Sequence, residues 1–232
     1  MTSGVISKQV GRRADFVRCC LFALAALFFA TEVAMADPAN LLNAANRGDA
    51  ITVIAEIDAG TPLEIRSTKG ETALLLATHG NHIDAARALI EAGADVNAKD
   101  AIHDSPYLYA GARGHDEILA LTLSHGADLT STNRFGGTAL IPAAERGHVE
   151  TVRMLIKAGV DVNHVNDLGW TALIEAVILA NGGVHYQQIV RDLLAAGADP
   201  NIADSDGVTP LAHAKRMGFD QMAVILQEGG GR

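Results

Sequence analysis

The sequence predicts an all-α solenoid, a stack of helix–turn–helix units. Three observations carry that expectation. Thr72, Ser105, Thr138 and Thr171 stand at steps of 33 residues, and Thr209 follows after 38. Gly60, Gly93, Gly126, Gly159, Gly197 and Gly230 keep the same step of 33, broken by the same five extra residues between Gly159 and Gly197. Between these columns apolar residues recur at helical spacing, as Val152, Leu155 and Ile156 do. Two columns sharing one period and one interruption define a repeat array, in which each unit covers the apolar face of the next.

The chain begins with a segment that does not join this pattern. Arg12, Arg13 and Arg18 form a basic region, Cys19 to Ala30 an apolar run, and Ala34-Met35-Ala36 a small-x-small cleavage site before Asp37. That order is the pattern of a secretory signal peptide. The run is shorter than the ~20 apolar residues of a membrane-spanning helix. Residues 1–36 are therefore expected to be a cleaved signal peptide, residues 37–232 the repeat domain, and the location periplasmic or secreted. An uncleaved segment would instead leave a membrane-tethered scaffold. Cleavage retains 14 of the 18 basic and 25 of the 27 acidic residues, a net charge of −11. It also removes Cys19 and Cys20, so the mature chain has no thiol for a disulfide, a nucleophile or zinc. An acidic protein repels phosphate backbones, which argues against nucleic acid as a partner.

The elements follow in order. Residues 38–62 lack the Thr column and read as an N-terminal cap, with Asp37 as helix N-cap and Pro38 at the first helical position. In each later unit the Thr or Ser is expected to accept a bond from a free backbone N–H of the first helix. That helix stops at Gly114, Gly147 or Gly218, and at Asn81 in the second unit, where the chain needs a left-handed residue. A second helix runs to the other glycine column, and stretches such as Gly93-Ala94-Asp95-Val96-Asn97 lead to the next unit. His103 holds the place of the turn glycine in the third unit, so that turn is expected to be distorted. The five-residue insertion, Asn181 to His185, is expected to lengthen the turn between the helices of the fifth unit as a surface loop.

These units resemble the ankyrin repeat. The resemblance rests on Thr72-Ala73-Leu74, Ser105-Pro106, Thr138-Ala139-Leu140, Thr171-Ala172-Leu173 and Thr209-Pro210-Leu211. Gly114-His115, Gly147-His148 and the Gly-Ala-Asp-x-Asn stretches at 93–97 and 197–201 add to it. It covers nearly all of 38–230 in about six units, the first and last acting as caps. It implies helix pairs joined by short β-turn hairpins. The histidine usual in the family's Thr-Pro-Leu-His is replaced by Leu75, Leu108, Ile141, Ile174 and Ala212, which exchanges hydrogen bonds for apolar packing.

No residue set points to catalysis. His82, His115 and His148 repeat once per unit, on helices about 8–10 Å apart. Zinc ligands sit about 2 Å from the metal, so this column is read as packing and hydrogen bonding. Asp161-Val162-Asn163, Asn166-Asp167 and Asp204-Ser205-Asp206-Gly207 lack the full calcium-loop spacing and are assigned to the Gly-Ala-Asp-x-Asn turn. Phosphate-binding loops and nucleophile elbows are absent from the sequence. The expectation is a non-enzymatic, cofactor-free monomer that binds a client protein.

The resemblance implies contact through the turn tips and the face of the first helices. Three residues before each capping Thr/Ser stand Lys69, Ile102, Phe135, Leu168 and Asp206, so three adjacent tips carry large apolar side chains. Ile102, Tyr109, Phe135, Leu168 and Trp170 are the candidate protein-binding residues, since exposed apolar and aromatic side chains mark binding patches. Glu145, Arg146, Arg113 and Glu175 are expected on the same face. Packing of hairpin on hairpin within the stack is the alternative use of those tips. A ligand-binding protein or hydrolase using the 181–185 loop is the alternative function, and converging polar groups beside that loop would favour it.

Overall fold

The computed structural model describes residues 38–232, so the signal segment, its cleavage point and the N-cap at Asp37 lie outside the described residues. Among the described residues, twelve helices pair into six hairpins. The first helices are α1 (Pro38–Arg47), α3 (Ala73–His79), α5 (Pro106–Arg113), α7 (Leu140–Glu145), α9 (Ala172–Ile178) and α11 (Pro210–Arg216). The second helices are α2 (Ala50–Asp58), α4 (Ile83–Glu91), α6 (Asp116–Ser124), α8 (Val149–Ala158), α10 (Val184–Ala195) and α12 (Asp220–Glu228). First helices pack on first helices and second on second, giving two layers with one apolar cluster between them. Leu41, Leu74, Leu89, Leu140, Leu155, Leu173 and Leu193 run through it fully buried. Each such side chain is worth roughly 1.5–3 kcal/mol of burial. No strand and no helix long and apolar enough to cross a membrane occurs among the described residues.

The capping column holds in four units. Thr72, Ser105 and Thr171 accept at 3.2 Å from the N–H three residues on, and Thr209 does so at 3.3 Å. Thr138 does not, which corrects the expectation. In the other units the carbonyl of the capping residue receives the N–H four residues on, for example Leu76 N–H to Thr72 O at 3.0 Å. After Thr138 that position is Pro142, which has no N–H. The Ile141 N–H turns to the Thr138 carbonyl at 3.3 Å instead, and the buried Thr138 hydroxyl has no partner.

Side-chain amides join unit to unit. Asn97 donates to Gly126 O at 2.9 Å and accepts from Asp128 N–H at 2.8 Å. Asn163 repeats this with Gly197 and Asp199, and Asn201 with Gly230 and Arg232. The histidine column is also structural: His115 Nδ1 lies 3.0 Å from Thr78 O, and His82 Nε2 lies 3.2 Å from Asn46 O. Tyr186 takes the corresponding place in the fifth unit, donating its hydroxyl to Glu145 O at 3.1 Å. Burial holds the His115 and His148 imidazoles below the ordinary histidine range. Leu75, Leu108, Ile141 and Ile174 are buried, as apolar replacement of the family histidine requires, whereas Ala212 is exposed.

Two further expectations change. His103 does not distort its turn: it takes φ +66° itself, and its N–H still reaches Asp100 O at 3.2 Å. Histidine is among the residues that tolerate the left-handed region, so the turn survives at the cost of local strain. The insertion is not wholly a loop. Val184 and His185 open α10, which has 12 residues where α8 has 10, and the turn proper is Asn181 to Gly183.

Candidate functional site

The tips are built by one side chain per unit. The side-chain oxygens of Ser67, Asp100, Asn133, Asn166 and Asp204 each accept the backbone N–H groups two and four residues on. Such a turn needs a short acceptor side chain, which is why only Ser, Asn and Asp occupy the column. Asn166 and Asp204 therefore shape tips, a correction to their assignment to the Gly-Ala-Asp-x-Asn turn. Asp161 does lie in that turn, accepting from Asn163 N–H at 2.9 Å. Neighbouring tips are tied by backbone bonds, Ala101 N–H to Lys69 O at 3.1 Å and Asp167 N–H to Phe135 O at 3.0 Å.

This framework holds the apolar tip residues out of the core. Ile102 is 52% exposed, and Phe135 and Leu168 are each 50% exposed. Phe135, Leu168 and Trp170 converge on a cleft of about 210 Å³ between the fourth and fifth units. Pro142 and Leu179 complete its apolar walls, while Asn133, Asn166, Glu145 and Glu175 supply polar atoms. A second cleft of about 280 Å³ adjoins it, lined by Tyr109, Arg113, Arg134, Arg146 and Asp104, and Phe135 borders both. Ile102 lines neither.

Tyr109 is held by an aromatic and cationic cluster. Its ring centroid lies 4.2 Å from that of His79 and 6.0 Å from that of His115. The Arg113 guanidinium stands 5.5 Å over the ring and donates to its hydroxyl at 3.2 Å. His79 Nδ1 is 3.6 Å from Glu71, yet burial outweighs that carboxylate and depresses the imidazole's pKa. The Arg134 guanidinium lies 4.8 Å from the Phe135 ring centroid and 3.8 Å from Asp104. Burial, then the Asp100 carboxylate, raise Asp104 above its ordinary value.

Glu175 was expected on the open face, and it is buried at 5% exposure. Its Oε1 accepts from Asn166 Nδ2 at 3.4 Å, and its Oε2 has no partner. Burial, then the Glu145 carboxylate, push its pKa up to about 7. The sequence analysis does not single out the acceptor column that builds the tips (Ser67, Asp100, Asn133, Asn166, Asp204), nor the first-helix position four after the capping Thr/Ser (Tyr109, Pro142, Glu175) as one set. Both keep the 33-residue period, so the signal was present in the sequence.

The insertion forms a small cleft lined by Asn181, Gly183, Val184, His185 and Tyr186. Its polar groups serve the local backbone: Asn181 Oδ1 accepts from Gly183 N–H at 2.9 Å, and Gln187 Nε2 donates to Gly182 O at 2.8 Å. The Tyr186 hydroxyl is engaged by Glu145 O, so polar groups do not converge there.

Comparison with known proteins agrees with this architecture. A family model of ankyrin repeats in three copies matches residues 107–204, and a single-repeat model matches residues 69–101. An ankyrin repeat domain from Acinetobacter baumannii AYE is 60% identical, covers 84% of this chain and 100% of its own, and superposes with a TM-score of 0.82. EF0377, a solved ankyrin repeat protein, is 45% identical over 83% of this chain and 98% of its own, with a TM-score of 0.80. The ankyrin repeat domain of Bcl-3, an IkappaB family member, is 27% identical over 83% of this chain and 86% of its own, with a TM-score of 0.75. Putative ankyrin repeat protein YahD of Escherichia coli K12 is 43% identical over 56 residues, 24% of this chain and 28% of that protein's length. With its period, its paired helices and these matches, the chain belongs to the ankyrin-repeat family.

Proposed function

We infer that this protein is an exported, non-enzymatic binding module that holds a client protein against the tips and first helices of its third to fifth units. Ankyrin repeats are generally protein–protein interaction modules. The observation that carries the reading is the convergence of half-exposed Phe135 and Leu168 with Trp170 on one cleft. Large apolar side chains kept out of a core that has room for leucines are costly in water unless a partner covers them. Tyr109 and its cationic neighbours extend the surface next to Phe135. The client is a protein, and the acidic charge disfavours nucleic acid.

Export rests on the basic, apolar and small-x-small order of residues 12–36. A mature protein beginning at Asp37, measured by intact mass from the exported fraction, supports it; the full-length mass there refutes it. Binding is tested by pull-down from the same fraction with wild type beside Phe135→Ala/Trp170→Ala, folding checked by circular dichroism. A client held by wild type and lost by the folded variant supports this face. A client retained by both moves the site elsewhere on the solenoid, and no client at all refutes the interaction reading.

A further inference from the structure

The cleft between the fourth and fifth units combines two chemistries. Phe135, Leu168 and Trp170 make it apolar, and Glu145 and Glu175 make it acidic. Glu175 is nine-tenths buried and leaves Oε2 without a donor, while Oε1 has only the long bond from Asn166. Arg146, the cation whose charge acts on Glu175, is engaged elsewhere: its Nη1 donates to Ala112 O at 2.7 Å, and its Nη2 stays 4.0 Å from Glu145. A buried carboxylate without a donor is costly, and a donor brought from outside removes that cost. The side chain that satisfies both chemistries is long, apolar along its stem and cationic at its head.

We propose that this cleft seats a lysine or arginine side chain of the protein partner, its stem against Phe135, Leu168 and Trp170 and its head on Glu175 and Glu145. The proposal rests on the protein-binding reading and specifies what the partner presents. Charge complementarity supports the occupant, since the chain carries a net −9 and the cleft is lined by two carboxylates and by no lysine or arginine. Among elements packed on α9, α7 and its end bring Glu145 and Arg146, and α11 brings His213, already 2.6 Å from Asp204. His185, Arg191 and Asp192 of α10 do not line the cleft. With its pKa raised to about 7, Glu175 must release a proton to receive the cation at lower pH. Capture therefore strengthens as pH rises toward neutrality.

Trp170 is the only tryptophan, so its indole N–H resonance reports the cleft alone. The full-length protein is titrated with capped pentaglycine peptides whose central residue is replaced by arginine, lysine, norleucine or glutamate. The arginine and lysine peptides are expected to shift the Trp170 signal at concentrations at least about tenfold below norleucine, with affinity falling up to about tenfold per pH unit below 7 and level above it. Glu175→Gln, which keeps the shape, is expected to lose both the charge preference and the pH dependence while its spectrum stays folded. Equal response to norleucine overturns the proposal, as does a preference that survives Glu175→Gln, or a calcium titration that reproduces the shift. Any of these, with the client still lost by Phe135→Ala/Trp170→Ala, leaves the interaction reading standing. A client retained by that folded variant removes the interaction reading itself.

Discussion

Glu175→Gln should stabilise the free protein in a pH-dependent way. The Glu175 carboxyl has an ordinary pKa of 4.5 and is held at about 7 in the fold, first by burial and then by Glu145. A group whose pKa is raised on folding contributes stability that is full below its unfolded pKa. That contribution is lost as pH rises from 4.5 to 7. The raised pKa corresponds to about 3 kcal/mol, of which roughly 2.5 kcal/mol falls between pH 5 and pH 8. Glutamine carries no titrating proton, so the other titrations cancel in the difference between variant and wild type. Urea unfolding of both proteins at pH 5 and pH 8 reads that difference directly, and in melting temperature it amounts to about 5–10 °C. A variant-minus-wild-type difference that is the same at both pH values would refute the argument. It would mean that Glu175 is solvated in the native state, and the cleft would then hold no stored charge to offer a cation.

Three further outcomes follow from the scaffold. Thr171→Val should lose about 1 kcal/mol, the usual worth of an N-cap, whereas Thr138→Val should be neutral or stabilising, because the Thr138 hydroxyl caps nothing; parallel urea curves decide it. Tyr107→Phe should raise stability by about 1 kcal/mol, since the fully buried Tyr107 hydroxyl has no partner, and calorimetry giving a loss of similar size would reveal a donor or acceptor at that atom. His103→Gly should relieve about 1 kcal/mol of left-handed strain, measured as a higher melting temperature, with no change in the spectrum of the neighbouring tips.

The readable parts of this fold were those governed by short-range geometry. A cap spans three residues, so Thr72, Ser105, Thr171 and Thr209 announced their helices. The stops at Asn81, Gly114, Gly147 and Gly218 were legible because each needs a positive φ. The exceptions came from neighbours that the column view ignored. Pro142 silenced Thr138 from four residues away, and the His103 turn persisted because a histidine can take the conformation that glycine takes elsewhere. The insertion reads as a loop in the sequence, yet Val184 and His185 open the helix they adjoin.

For the candidate site, the period alone was enough to put Ile102, Phe135 and Leu168 on successive tips, because residues one repeat apart occupy equivalent places. It was not enough to say which of them meet. Phe135, Leu168 and Trp170 share a cleft, Tyr109 is locked against His79 and Arg113, and Ile102 stands apart. Sequence by itself thus determined the repeat, four of its helix caps and the apolar character of the tips, all consequences of backbone geometry within one unit. Tertiary structure alone decided the burial of Glu175 and its unanswered Oε2. Those depend on Asn166, which reaches the carboxylate from a tip, and on Glu145 and Arg146, whose charges act on it from the preceding unit, and the dielectric around a charge is set by what packs on it, not by its own neighbours in the chain.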